Sequence, residues 1–393
     1  MKTIKAAIGE TMKKTSPKND PVLSIQKKIR SKGTLVSKFG LRRFKGFSDF
    51  EINQLSPITL IGGKNNVGKT SILEALFMFF DRLNPQMILR QFGMRGVGLI
   101  PFDPQSMWAP VFFDYNLEKE IIISIIIDGE EEILRLSFNP GYEALSIFTK
   151  NAVPGPGNIP TQIKTDQKPT PVFSLDISHE SKGETQIAHM LMGFNTLELR
   201  SERMQIRSRS ATIISARIPS NPVDDAHRFG QLDIIGKQET IVTFLRIIEP
   251  RLKSLSSVAL GDTSLIHGDI GLSRKIPVSY MGDGISRLLS IILAIATTKN
   301  GVVLIDECEN GLHHSVMPKI WRAIGQAARE YNCQVIGTTH SYECLTAAQK
   351  GLSGELAGDF SYIRIDRSDK GCTAKHFDHE TLTMALSNNM EVR

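Results

Sequence analysis

Gly63-Lys64-Asn65-Asn66-Val67-Gly68-Lys69-Thr70 matches the pattern G-x-x-x-x-G-K-[ST] at every defined position. Before it, Pro57-Ile58-Thr59-Leu60-Ile61 is a short apolar run that reads as a buried strand. After it, Ile72, Leu73, Leu76, Phe77 and Phe80 recur at helical spacing through Ser71–Phe80. Strand, glycine loop and helix are the geometry a phosphate cradle needs. The glycines let backbone amides turn inward, and the helix N-terminus adds partial positive charge. Gly63, Lys64, Asn65, Asn66, Val67, Gly68, Lys69, Thr70 and Ser71 are therefore assigned to a nucleotide's phosphates. Lys69 would reach the β- and γ-phosphates, and the Thr70 hydroxyl would bind Mg²⁺.

Three later stretches line up behind this loop. In Gly301-Val302-Val303-Leu304-Ile305-Asp306-Glu307, four apolar residues run into two carboxylates at a strand's carboxyl end. That edge of an open parallel sheet is where ligands bind. Asp306 would join the Mg²⁺ shell. Glu307, pointing elsewhere, would polarise the attacking water. In Gln334-Val335-Ile336-Gly337-Thr338-Thr339-His340-Ser341 a second strand ends in a polar tip. Val316, Ile320, Ile324, Ala327 and Tyr331 mark a helix between the two strands. The resulting right-handed βαβ unit puts His340 on the same edge as Glu307, within reach of a γ-phosphate. The third stretch, Met281-Gly282-Asp283-Gly284-Ile285-Ser286-Arg287, opens a helix through Leu288–Thr297. Alone it reads as a helix start capped by Asp283 or Ser286. Beside a complete phosphate loop, Gly282, Asp283 and Gly284 read as a second phosphate-facing element, covering the ATP of a partner copy.

The chain has 393 residues, 41% hydrophobic and 22% charged, enough for one large domain with insertions or for two domains. The longest apolar runs, Ile121–Ile127 and Leu288–Ala296, are far too short to span a bilayer, and no signal-peptide core opens the chain. Cys308, Cys333, Cys344 and Cys372 form no C-x-x-C pair and read as thiols in a reducing cytoplasm. His376 and His379 lack further ligands at finger spacing and read as a surface strand-turn. The net charge of +6 is unevenly placed: residues 1–33 carry nine Lys/Arg against Glu10 and Asp20. This stretch reads as a disordered basic arm, able to contact nucleic acid or simply to solubilise.

Leu35–Phe44 and Phe47–Ile52 read as two antiparallel strands. Residues 86–114 read as irregular, with Gln91 a candidate Mg²⁺-sensing glutamine in a loop. Glu120–Ile127, Glu132–Phe138 and Ala144–Thr149 are strand-like; Asp128-Gly129 signals a tight hairpin and Asn139-Pro140-Gly141-Tyr142 a turn. Five prolines in residues 150–172 read as an exposed loop, with strands at Val172–Ser178 and Ala211–Arg217. Between them Arg200, Arg203, Arg207 and Arg209 form a second basic cluster, by default a solvated face or partner surface and otherwise a nucleic-acid track. Residues 231–254 read as one helix, followed by strands near Val258–Leu260, Ser264–His267 and Ile276–Tyr280.

In this order these elements resemble the ATP-binding cassette heads of the SMC/RecF/OLD group. They are most similar to OLD-like defence ATPases without a nuclease domain. The resemblance covers residues 34–393. It rests on Gly63–Thr70, Gly282-Asp283-Gly284, Asp306-Glu307, the turn Glu309-Asn310-Gly311-Leu312-His313, His340 and the closing Asn389-Met390-Glu391-Val392-Arg393. It implies an α/β P-loop ABC-type ATPase head with a mixed sheet, plus an inserted, mainly antiparallel β and helical lobe. The head would comprise residues 34–114 and 258–393, and the lobe residues 115–257. Implied cofactors are ATP and Mg²⁺, with Glu307, Lys69 and His340 catalytic and Thr70 and Asp306 on the metal. The signature reads Met-Gly-Asp-Gly where transporters carry Ser-Gly-Gly, so its placement across a dimer is implied by the group, not by the motif's wording.

The leading expectation is an ATP-driven homodimer or higher oligomer that holds a separate effector, a nuclease or toxin, in anti-phage defence. The alternative is a RecF- or SMC-like ATPase acting directly on DNA, motivated by residues 1–33 and the Arg200–Arg209 cluster. A membrane-transporter motor fits less well, because the signature differs and the antiparallel insertion is large.

Overall fold

In a computed structural model, residues 35–144, 170–193, 197–201, 209–217, 221–261, 263–369 and 371–392 are described. The basic stretch 1–33, residues 145–169, Arg203, Arg207 and Arg393 lie outside the described residues. The chain begins with β1 (Val36–Phe44), β2 (Phe47–Ile52), β3 (Ile58–Gly62), α1 (Lys69–Phe80), α2 (Met87–Met94) and a one-turn α3 (Pro104–Met107). Strands β4 (Ile121–Ile127), β5 (Glu130–Ala144), β6 (Thr170–Ser181), β7 (Glu184–Met192), β8 (Leu197–Ser201) and β9 (Ala211–Ile214) follow. Then come α4 (Pro222–Ile234), α5 (Gln238–Leu245), β10 (Ser254–Leu260), β11 (Thr263–Asp269), β12 (Ile276–Pro277) and α6 (Asp283–Thr297). The chain closes with β13 (Val302–Ile305), α7 (Met317–Glu330), β14 (Gln334–Thr338), α8 (Tyr342–Gly351), β15 (Phe360–Ser368), β16 (Gly371–Asp378) and α9 (His379–Ser387).

The expected P-loop head is present, built on a mixed sheet ordered β16-β15-β3-β14-β13-β9. All its neighbours pair in parallel except β15 with β16. Strands β3, β13 and β14 are buried along their whole length, which is why they read as unbroken apolar runs. Successive side chains alternate between two cores. Val302 and Leu304 join α1 and the antiparallel sheet, while Val303 and Ile305 join α6, α7 and α8. The antiparallel sheet, ordered β2-β1-β4-β5-β6-β7-β8, closes the far side of α1. Packed on both flanks, α1 buries every residue from Ser71 to Phe80, which accounts for its apolar surroundings on all sides.

Gln334 ties the sheets together. Its amide accepts from the backbone N–H groups of Leu35 and Val36 at 3.3 and 2.8 Å and donates to the carbonyls of Val36 and Ser56 at 2.8 and 3.0 Å. The sheets cut across the expected boundaries. Strands β1 and β2 belong with β4–β8, whereas β9, from the stretch read as an insertion, is an edge strand of the parallel sheet.

Several local expectations are corrected. Residues 87–94 form a helix, so Gln91 is helical and buried rather than in a loop. Asn139-Pro140-Gly141-Tyr142 is no turn: β5 continues through it, with the register to β6 shifting between Asn139 and Tyr142. A bulge tolerates the missing proline N–H, and β4 has already ended beside it. The expected strand Ala144–Thr149 is seen only in Ala144, the end of β5; the rest lies outside the described residues.

The hairpin at Asp128-Gly129 is present, both residues having positive φ as a type I′ turn requires. Lys182-Gly183 makes an equivalent turn between β6, expected at Val172–Ser178, and β7, which was not expected. The single helix expected over 231–254 is two. Gly236, at φ 70°, bonds its N–H to Asp233 O, and Lys237 N–H bonds to Leu232 O; together these end α4 in a Schellman motif. Ile234 and Ile235, which sustained the helical period, are 87% and 66% exposed. His376 sits on β16, and His379 opens α9 and donates from Nε2 to Gln349 O at 2.9 Å. Among the described residues no helix is long and apolar enough to cross a membrane.

Candidate nucleotide site

The phosphate loop leaves β3 through Gly63 at φ 133° and enters α1 through Gly68 at φ 97°. A Cβ on Gly63 would lie 2.5 Å from Ile365 O, and one on Gly68 would lie 2.5 Å from the Phe47 ring. Both positions thus require glycine for conformation and for space. The hairpin of β15 and β16 braces the loop: Arg367 donates to Asn66 O at 3.2 Å. Lys69 folds back, Nζ donating to Gly63 O at 2.8 Å and Lys64 O at 2.9 Å. Burial draws its pKa below the usual lysine value, opposed by Glu309, Glu307 and Asp306.

These carboxylates reach Lys69 because β13 and β14 end at the same edge as β3. Thr70 Oγ1 donates to Asp306 at 3.1 Å (Oδ1) and 3.3 Å (Oδ2). Thr338 Oγ1 donates to Asp306 Oδ1 at 2.7 Å and accepts from the Glu307 backbone N–H at 2.9 Å. Burial pushes the Asp306 carboxyl above its usual range, against the hydrogen bonds from Thr338 and Thr70. A hydroxyl beside a carboxylate is the hard-oxygen set that Mg²⁺ takes together with phosphate oxygens, so the residues present fit that ion.

Glu307 stands at φ 46°, a left-handed conformation unusual for a non-glycine residue and of the kind found at functional sites. Its Oε2 accepts from Asn310 Nδ2 at 2.9 Å. His340 Nδ1 lies 3.1 Å from Glu309 Oε1 and 3.9 Å from Glu307 Oε1, and the His340 backbone N–H also donates to Glu309 Oε1 at 2.9 Å. A ring held against Glu309 through Nδ1 turns Nε2 away from that carboxylate. The turn 309–313 thus positions two site residues, Glu307 through Asn310 and His340 through Glu309.

Together these groups enclose a cavity of about 610 Å³. Residues 65–71 form one wall, and Asp306, Glu307, Thr338 and His340 form the other. Gly63 and Lys64 lie off that wall. The rim carries Gly46, Phe47 and three arginines that motif reading missed, Arg95, Arg217 and Arg367. None of the three belongs to a phosphate-binding motif, and only the fold brings them to the loop. Arg95 pairs bidentately with Glu74, at 2.6 and 2.8 Å, and reaches Ser71 Oγ at 3.3 Å. Lys45 bonds the same carboxylate at 2.6 Å. Burial works against the Glu74 charge, yet Arg95 and Lys45 hold its carboxyl below the usual range.

Other expected residues lie elsewhere. Gly282, Asp283 and Gly284 are off this cavity, at the start of α6, where a Cβ on either glycine would meet no atom within 4 Å. No side chain caps α6; the Ser286 hydroxyl donates instead to Val278 O and Gly282 O. Gln91 lines an adjoining cavity, not the one holding Thr70 and Asp306. Arg200 pairs with Glu198 at 3.2 Å and Arg209 with Asp128.

Thr338→Val keeps the side chain's shape but strips Asp306 of a donor and Glu307 of its backbone anchor. Unpaired buried polar groups cost about 1–3 kcal/mol. We expect a melting temperature lower by several degrees and, from the loosened Glu307, turnover reduced about tenfold, measured by calorimetry and phosphate release.

The family profile described as "AAA domain, putative AbiEii toxin, Type IV TA system" matches residues 58–345. An "ATP/GTP phosphatase" of Helicobacter pylori is 23% identical over 329 residues, 79% of this chain and 86% of that protein. An uncharacterized protein of Methanocaldococcus jannaschii is 30% identical over 104 residues, 25% of this chain and 88% of that one. Among solved structures, an SMC head bound to the C-winged helix domain of ScpA aligns with 89% of this chain and 100% of its own, at 13% identity and a TM-score of 0.48. Matched from the strand before the phosphate loop to the helix after His340, across more than two-thirds of its length, the chain belongs to this AAA-domain family of P-loop ATPases.

Proposed function

We propose that the chain is a Mg²⁺-dependent ATPase that works as a head-to-tail pair of copies and acts as a switch on a separate effector, in the manner of OLD-like defence ATPases. One observation carries the hydrolytic reading: Lys69, Thr70, Asp306, Thr338 and Glu307 converge from α1, β13 and β14 on one cavity. The description of the Helicobacter relative as an ATP/GTP phosphatase supports it.

In this reading Lys69 exchanges its two loop carbonyls for β- and γ-phosphate oxygens. Glu307, held by Asn310 and its own backbone N–H, takes a proton as the water oxygen attacks the γ-phosphorus. The bond to the bridging oxygen breaks in line, and ADP and phosphate leave. Thr70 and Asp306 would hold Mg²⁺, which neutralises charge on the β- and γ-oxygens. His340 would hydrogen-bond the γ-phosphate, and positioning and charge account for most of the rate.

A Cβ on Gly284 would meet no atom within 4 Å in its own chain, so a substitution there probes the second copy. Gly284→Val is expected to leave the melting temperature unchanged, yet to lower turnover about 10²-fold by withdrawing the second copy's helix terminus. Light scattering with ATP should show pairs of the native chain and single copies of the variant. A variant that still pairs and turns over at the native rate would exclude the two-copy site. Chelation of Mg²⁺ should stop phosphate release from the native chain. For the effector, the products of the neighbouring genes are co-expressed with the native chain and with Gly284→Val. Release or activation of a nuclease or toxin in only one of the two supports the switch; indifference to both removes it.

A further inference from the structure

Gln334 and Gln91 are both buried, at 0% and 2% exposure. Gln334 has every amide position bonded to backbone. Gln91 has neither: its Nε2 and its Oε1 are both buried without a hydrogen-bond partner. A buried amide with both ends empty is costly, and helix α2 offers no structural return for it. It lines a cavity of about 460 Å³, the size of small-molecule sites. That cavity shares Gly46, Ser71 and Arg95 with the phosphate cavity. Ser71 directly follows Thr70, so a nucleotide with its phosphates on Lys69 and Thr70 can pass its sugar and base over Ser71 and Arg95 into the second cavity. Aromatic walls meet it there: Phe92, Phe112 and Tyr115. Asp114 and Tyr115, at the rim, both have φ 54°.

We propose that this second cavity receives the base of the nucleotide, and that Gln91 reads it as adenine. The proposal rests on the nucleotide reading above and adds base recognition to it. A glutamine amide presents one donor and one acceptor side by side. Turned into the cavity, since Nε2 and Oε1 are both closed to solvent as they stand, it matches the N6–H and N7 edge of adenine, both bonds forming at once. The corresponding edge of guanine carries two acceptors, O6 and N7, which would leave Oε1 empty as it is now. Arg95, fixed by Glu74, stands at the threshold as a cation beside the base.

The test uses the full chain and titrates ATP, GTP and inorganic tripolyphosphate by calorimetry, with native protein and Gln91→Leu. The native chain is expected to bind ATP about tenfold or more tighter than GTP, the discrimination a site's unpaired polar group imposes. Gln91→Leu should bring that ratio below threefold and leave tripolyphosphate binding unchanged. A purely structural Gln91 would weaken all three together, and a ratio preserved in the variant overturns the proposal. If Gln91→Leu fails to fold, Gln91→Asn, which withdraws the amide by one carbon, must show the same loss of ratio, and its absence is equally fatal. A native chain that binds neither tripolyphosphate nor ATP would instead overturn the phosphate-loop assignment, and base recognition falls with it. A native chain that binds tripolyphosphate but ATP and GTP alike removes Gln91 alone.

Discussion

Glu307→Gln is expected to lower phosphate release about 10³-fold while ATP stays bound, the loss typical of removing a general base. The substitution is nearly isosteric. Glutamine can still accept from Asn310 Nδ2, and its backbone N–H can still donate to Thr338 Oγ1. It meets the same left-handed backbone that Glu307 already adopts. What is lost is the carboxylate: its ability to take a proton from water, and its charge beside Lys69. With hydrolysis blocked, the ATP-bound pair of copies should accumulate, seen as a doubling of mass on light scattering in ATP but not in ADP. Single-turnover measurement separates chemistry from product release. Wild-type turnover in this variant would move the base elsewhere on the cavity wall.

Lys69→Ala is expected to abolish nucleotide binding rather than slow the chemistry, with affinity for ATP and tripolyphosphate falling about 10²-fold or more, as when a desolvated charge pair loses one partner. The folded chain carries this ammonium at a cost. Burial lowers its pKa, and its resting partners are the Gly63 and Lys64 carbonyls, which water can also serve. Lys69 is partly exposed and faces Glu309, Glu307 and Asp306, so its removal is expected to change the melting temperature by only a few degrees while binding is lost. Calorimetric titration paired with thermal unfolding checks both halves. A variant that binds ATP normally but fails to hydrolyse it would give Lys69 a different role.

The phosphate-loop unit, β13 with Asp306-Glu307 and β14 with His340 were legible because each signal is contiguous. A loop needing glycine at two strained positions, an apolar strand and a polar tip are written in adjacent residues, and a parallel sheet brings such tips to one edge. Gly282-Asp283-Gly284 was legible as a helix start, but nothing local tells what it faces. Gln91 shows the opposite limit. Its residue type suggested metal sensing from a loop, whereas α2 buries it in another cavity, and an unpaired amide can be recognised only once its neighbours are known.

The sequence by itself determined which chemistry the chain carries: a phosphate loop, two terminal carboxylates and a histidine on parallel strands. Only the tertiary structure decided how those groups hold one another. Thr70 meets Asp306 across 236 residues, and Glu309 captures His340 across 31. It also decided which side of Ile121–Ile127 is core, since six isoleucines around Ser124 show no alternation, yet Ile121, Ile123, Ile125 and Ile127 are the buried set. The reason is physical: a sequence pattern reports period along one element, but facing and register are set by which elements exclude water from each other, and a one-residue slip would turn every side chain of β4 over.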